Sequence, residues 1–192
     1  MNKTLLISFF LIVFSSCNRS HKEFDNNLSG YKELTGEINN YFIDQKEEEI
    51  NVSNFYTEDF IFYSFPAGNK KGVSSTKKEY LDGFQEMKRS NMLLNVGHSI
   101  YLPGINEDTW DFDGSLRVYY GATISVDSDS VEFSGYRTVN FKNGKISGIW
   151  EWADYGGVSN QLSQYLEKDL TEEDYLDKDL LYKHENDIPI GH

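Results

Sequence analysis

Thiols are almost absent from this 192-residue chain, whose single cysteine is Cys17. A lone cysteine near the N-terminus closes no internal disulfide and supplies no thiolate set for zinc, and a domain without it has no thiol chemistry. Histidine is also scarce, at four residues. No His-x-x-x-His and no paired His/carboxylate spacing occurs, so no metal site is expected, and no cofactor. No glycine-rich loop joins a strand to a helix to cradle phosphate, no serine elbow appears, and there is no internal repeat. Positive charge is short as well: 18 Lys and Arg against 31 Asp and Glu give a net charge of −13. A surface this acidic argues against nucleic acid and against anionic lipid as partners.

Long hydrophobic runs are missing except for Leu5 to Phe14, which is too short to span a bilayer as a helix. Preceded by Lys3 and followed by Ser15-Ser16-Cys17, it reads as a secretion signal. The arrangement resembles a bacterial lipoprotein lipobox, which implies that Cys17 is lipidated and becomes the first residue of the mature chain. Phe14 departs from the small aliphatic residue usual at its place, so secretion with incidental loss of Cys17 stays open. A buried hydrophobic helix ending at an inert cysteine is a further alternative. The lipobox reading places residues 1–17 in the signal and lipidation site, and the protein in the bacterial cell envelope, held by lipid to the outer membrane and facing the periplasm or the surface. Residues 18–29 read as a polar tether. Residues 30–164 read as one folded domain and 165–192 as an acidic C-terminal helix or tail. In that tail Leu170, Tyr175, Leu176, Leu180 and Leu181 could form a narrow apolar stripe.

Within the domain, Tyr31, Leu34, Ile38, Tyr41 and Phe42 fall at helical spacing and predict a first helix over 31–46. A short helical turn and a strand from about Phe60 follow, stopped by Pro66-Ala67-Gly68. Thr76 and Glu79 have capping-box spacing, which predicts a helix from Lys77 to Arg89 burying Tyr80, Phe84 and Met87. From Met92 the period changes to two. Met92, Leu94, Val96, His98, Ile100 and Leu102 alternate with polar partners, as do Leu116 to Val126 and Val131 to Phe141. Turns are expected at 128–130 and at Asn143-Gly144. The last strand runs from Lys145 to Asp154. Helices followed by a meander of long strands indicate an α+β domain.

The stretches "FYTEDFIFYSFPAG", "TKKEYLDGFQEM", "YYGATIS" and "GKISGIWEWADYGGVSNQL" together resemble the SnoaL-like branch of the NTF2-like superfamily over roughly residues 31–163. The closing stretch carries most of the likeness, through Gly144, Lys145, Ile146, Trp150, Asp154, Gln161 and Leu162. The resemblance implies a cone, in which a strongly curved antiparallel sheet wraps around the N-terminal helices and leaves an apolar cavity. It also implies a homodimer through the outer face of the sheet, where Tyr119, Thr123, Tyr136, Thr138 and Ile149 are expected.

The resemblance further implies that Asp154 is a general acid/base at the cavity, with Trp150 and Trp152 on the same lining face. A carboxyl group in an apolar cavity has its pKa raised toward the operating pH, so the role is physically reasonable. Asp154 could instead cap the helix that begins near Gly157, or pair with Arg137. His98 and Arg137 stand at inward parity among apolar residues, where polar groups need partners. They form, with Tyr41 on the first helix, a candidate constellation: His98 exchanging protons with Asp154, and Arg137 and Tyr41 binding an oxygen of the ligand. Tyr120 adds a ligand contact. The two carboxylates of ketosteroid isomerases are missing, since Phe65 precedes Pro66 and Arg137 falls near the place of the second acid.

Three functions remain open at this stage. The first is a membrane-tethered domain binding a small apolar or aromatic ligand without a complete catalytic set. The others are an acid/base enzyme of the polyketide cyclase or isomerase type using Asp154, and a non-catalytic dimeric interaction module.

Overall fold

A computed structural model describes the backbone of residues 3–44, 49–66 and 68–167, with side chains described over 21–44, 49–66 and 68–164. Cys17's side chain, the apolar signal run and the stripe from Leu170 to Leu181 lie outside the described side chains. The chain runs helix α1 (Lys3–Ile43), a single 3-10 turn (Ser53–Phe55), strands β1 (Tyr56–Ser64) and β2 (Val73–Thr76), and helix α2 (Lys77–Arg89). Four long strands follow, β3 (Met92–Ile105), β4 (Phe112–Val126), β5 (Asp129–Lys142) and β6 (Lys145–Ala153), and then α3 (Tyr155–Glu167).

The helical spacing of Tyr31, Leu34, Ile38, Tyr41 and Phe42 is realised as one buried stripe, each of these residues 7 % exposed or less. The helix starts well before Tyr31. Residues 18–29, which read as a tether, continue it: Phe24 and Leu28 pack on the core, and the buried Asn27 donates from Nδ2 to the Gly114 carbonyl at 2.9 Å. Polar composition hid this packing because few of the described positions of that segment face the protein, Phe24, Asn27 and Leu28 most fully. α2 begins and ends where its capping box and following turn predict, with Thr76 Oγ1 accepting from the Glu79 N–H and Glu79 accepting in return from the Thr76 N–H.

The six strands form one sheet in the order β2-β1-β6-β5-β4-β3. This overturns the antiparallel cone. β1 lies parallel to β6, with Ile61 opposite Gly148 and Ser64 opposite Glu151, so the sheet is mixed, and it remains open with β2 and β3 as free edges. The strong curvature expected of a wrapped cone is likewise absent. Alternating hydrophobicity locates strands but carries no information on which strand pairs with which, or in what direction. The α+β class stands, with α1 packed over β3 and β4 and α2 over β1 and β3. The free edge of β3 is covered locally by α1. Asn39 accepts from the Val96 N–H at 2.8 Å and donates to its carbonyl at 2.9 Å, so its side chain stands in for a neighbouring strand.

Two apolar clusters result. The larger joins α1, α2 and the inner face of the sheet around Phe42, Tyr56, Phe60, Leu116 and Val139. The smaller fixes α3, through Val158 and Leu162, to Ile124, Val126 and Val131. Between the helices and the sheet the packing is incomplete, which leaves the cavity described next.

Candidate functional site

The cavity has a volume of about 400 Å³. Its walls are apolar, formed by Ile38, Phe84, Leu94, Val96, Ile124 and Phe133 among others, and Arg137, Glu151, Tyr80, Tyr120 and Tyr155 bring its polar groups together. A wider groove of about 720 Å³ runs past Glu58, Asp59, Lys77 and Lys78 on the surface. The smaller cavity is the candidate site, because its polar groups are buried and convergent whereas those of the groove are largely solvated.

The site is built by a register shift in the β5–β6 hairpin. From the Asn143-Gly144 turn, Lys142 faces Lys145 and Phe141 faces Ile146, but the next pair is Asn140 with Gly148. One extra residue in β6 therefore bulges at Ser147-Gly148, and every later β6 side chain changes face. Ile149 becomes buried at 1 % exposure and Glu151 at 6 %. Arg137 now stands directly opposite Glu151, and the two form an ion pair between Nη2 and Oε2.

Further contacts hold both partners. Arg137 Nη1 donates to the Tyr31 hydroxyl at 3.2 Å, and the guanidinium lies 4.1 Å from the centre of the Tyr120 ring. The Tyr155 hydroxyl donates to Glu151 Oε1. Burial alone would weaken the Arg137 charge, but the Glu151 carboxylate and the neighbouring phenols outweigh it and hold its pKa above the usual arginine range. Burial pushes the Tyr31, Tyr80, Tyr120 and Tyr155 phenols up, Arg137 pulling back on each and Glu151 pushing further. At neutral pH these tyrosines are uncharged and each keeps its one hydroxyl proton, that of Tyr155 being given to Glu151.

Of the residues anticipated from sequence, Arg137 and Tyr120 line this cavity. Tyr41 is buried in the core at 2 % exposure with the Lys88 ammonium 4.1 Å from its ring centre, and it does not line the cavity. The helix-1 phenol that reaches Arg137 is Tyr31, nearly three turns earlier. His98 is exposed on the opposite face of the sheet, beside Gly97, Thr123 and Glu132. The cause is a second irregularity, between Val96 and Ser99, which reverses the parity of β3 and also turns out Ile100 and Leu102.

Trp150, Trp152 and Asp154 do share a face, but the β6 bulge makes it the outer one. Trp150 stacks on Tyr63 at 5.6 Å between ring centres and Trp152 on Phe65 at 4.6 Å. Asp154 is exposed and accepts from the Gly157 N–H at 2.9 Å, which is the helix-capping arrangement at the start of α3. The structure brings neither Asp154 nor His98 to Arg137.

Glu151, Tyr31 and Tyr155 went unrecognised in the sequence. A signal for Glu151 was present. Arg137 sits at inward parity and needs a partner, a straight register from the Asn143-Gly144 turn gives it Trp150, and a shift of one gives it the only nearby carboxylate. Among the described residues no group of His, Cys, Asp and Glu is arranged to hold a metal ion.

No family model matches this sequence, and no curated protein does. Solved structures do match. The pinacolase BvnE from Penicillium brevicompactum is 9 % identical, the match covering 75 % of this chain and 96 % of that one with a TM-score of 0.56. An NTF2-like protein from Anabaena variabilis is 16 % identical over 70 % of this chain and 93 % of that one, with a TM-score of 0.50. The fold is similar to that of NTF2-like proteins. Bal32a, from a soil-derived mobile gene cassette, extends the likeness at 11 % identity, over 72 % of this chain and 97 % of that one, with a TM-score of 0.51. At these identities the likeness is one of NTF2-like fold alone, and function rests on the site.

Proposed function

We propose that this chain is a lipid-anchored protein of the bacterial cell envelope, held through Cys17, whose NTF2-like domain binds a small neutral apolar or aromatic molecule. The observation that carries the binding reading is the cavity of about 400 Å³ with apolar walls and a self-compensated Arg137–Glu151 pair among its polar groups. Its size suits a ligand of two or three rings. Because Glu151 already neutralises Arg137, a ligand carboxylate or sulfonate would add an uncompensated buried charge. A carbonyl or hydroxyl oxygen is the better fit, since the phenol of Tyr80 can donate to it. Acid/base chemistry would have to use Glu151, which is engaged with both Arg137 and Tyr155, or Glu79, which is engaged in the capping box of α2; binding makes no such demand on either.

N-phenyl-1-naphthylamine and its sulfonated analogue 1-anilinonaphthalene-8-sulfonate separate these possibilities, since they differ only by the charged group. The neutral dye is expected to bind with enhanced fluorescence and the sulfonate about tenfold more weakly, a difference of about 1.4 kcal/mol. Ala122 lines the cavity at 5 % exposure, so Ala122→Phe should fill it and abolish binding, while Asp154→Asn should leave binding unchanged. Undiminished binding to Ala122→Phe would remove the cavity as the site.

The partner proposed for the outer face is a second copy of the chain. Tyr119 and Trp152 are 50 % and 42 % exposed there, and Tyr136 contacts both rings, at 4.8 and 5.7 Å between centres. Trp152→Lys is expected to turn a dimer into a monomer in sedimentation velocity; a wild-type monomer at tens of micromolar concentration would end this assignment.

A further inference from the structure

The hairpin tip between β3 and β4 presents a tryptophan to solvent in a conformation that tryptophan rarely adopts. Trp110 has φ +62 and is 79 % exposed. The tip that holds it is well built. Asn106 Oδ1 accepts from the N–H groups of Asp108 and Thr109, both at 3.0 Å. The Trp110 N–H donates to the Asn106 carbonyl at 2.9 Å, and the Asn106 N–H donates to the Asp111 carbonyl at 2.9 Å. Hydrogen bonds therefore hold an apolar ring outward at a conformational cost, where the fold gives it nothing to bury against.

The position of the tip supplies a reason. Two residues on, Phe112 meets the His21 ring edge-on at 4.7 Å and the Phe24 ring at 6.3 Å. The tip thus sits at the end of the domain from which α1 leads back to Cys17, which stands only four positions before His21. Four residues span about 6 Å as helix, and about 14 Å when fully extended. A lipidated Cys17 would therefore hold this end of the domain, with Phe112 and the tip that carries Trp110, toward the bilayer surface.

We propose that Trp110 is a second membrane contact, its indole seated at the headgroup level of a zwitterionic bilayer beside the lipid anchor. Indole suits that depth, having an apolar body and one N–H donor. The headgroup class follows from charge, since Glu107, Asp108, Asp111 and Asp113 flank Trp110 in the sequence of the tip and Glu23 and Asp25 lie on the stretch of α1 that meets Phe112. Anionic headgroups would be repelled. Anchor and indole together would restrict how the domain stands on the membrane, where a single lipid attachment leaves it free to swivel. The inference rests on the lipid-anchor reading of Cys17.

The test uses the full-length chain, lipidated in cells, purified and reconstituted into phosphatidylcholine vesicles with brominated or ordinary acyl chains. Bromine is expected to quench part of the tryptophan emission. That part should vanish in Trp110→Phe and persist in Trp152→Phe. Chain that floats with the vesicles but shows no Trp110-dependent quenching overturns the contact and leaves the anchor standing. Chain that does not float overturns the anchor, and the contact falls with it.

Discussion

Replacing Glu151 with alanine is expected to cost about 3–5 kcal/mol of folding stability, read as a shift of the urea midpoint followed by tryptophan fluorescence. The side chains of Arg137 and Glu151 are 14 % and 8 % exposed, so the variant strands a guanidinium away from water and from its counter-charge. Losing the proton is no escape, because a guanidinium is not deprotonated in proteins, and the remaining contacts, with the Tyr31 hydroxyl and the Tyr120 ring, are uncharged. The converse double replacement, Arg137→Met with Glu151→Leu, should recover most of the loss, because apolar groups of similar volume need no desolvation. A loss below about 1 kcal/mol for Glu151→Ala would show that the pair behaves as a surface ion pair. The description of a buried, self-compensated pair in the cavity would then be wrong.

Gly135→Ala should destabilise the domain by about 1–3 kcal/mol through overpacking. Gly135 stands opposite Tyr120 in the β4–β5 ladder, and a Cβ there would come within 2.4 Å of the Tyr120 Cζ and hydroxyl oxygen. The ring has little room to withdraw, since Arg137 lies over it and the residue is 5 % exposed. Any movement of Tyr120 also disturbs the Arg137 arrangement, so the same variant is expected to bind the neutral dye more weakly. In a Tyr120→Leu background the cost should shrink, as expected for residues in direct contact. Strict additivity of the two substitutions would mean that the tyrosine ring is not what requires glycine at 135.

How much of this was legible follows from the kind of signal involved. α2 was readable from end to end because its capping box, Thr76 with Glu79, is a local interaction complete within four residues. The buried stripe of α1 was readable from Tyr31 to Phe42 because helical period and burial coincide there. Its packed continuation through Phe24, Asn27 and Leu28 was not, since three inward residues in a polar segment make no period. The inward placement of Arg137 and Tyr120 survived because β4 and β5 pair without interruption from Leu116 with Val139 to Val126 with Asp129. His98 and Asp154 are not placed inward. Each lies beyond a one-residue irregularity, in β3 or in β6, and such a slip exchanges the two faces of everything that follows.

By itself, then, the sequence determined the elements other than β2 and their order, the α+β class, the likeness to NTF2-like proteins, and an arginine at inward parity in need of a partner. The tertiary structure decided that β1 inserts parallel to β6, that the sheet stays open, and that Glu151 rather than Asp154 is the buried carboxylate of the cavity. It also decided that Tyr31, brought 106 positions along the chain to Arg137, is the phenol in contact with it. The physical reason is the same in each case. Periodicity and caps are properties of a few neighbouring residues, whereas strand partner, direction and bulge are settled by how distant segments satisfy one another's backbone and buried charge.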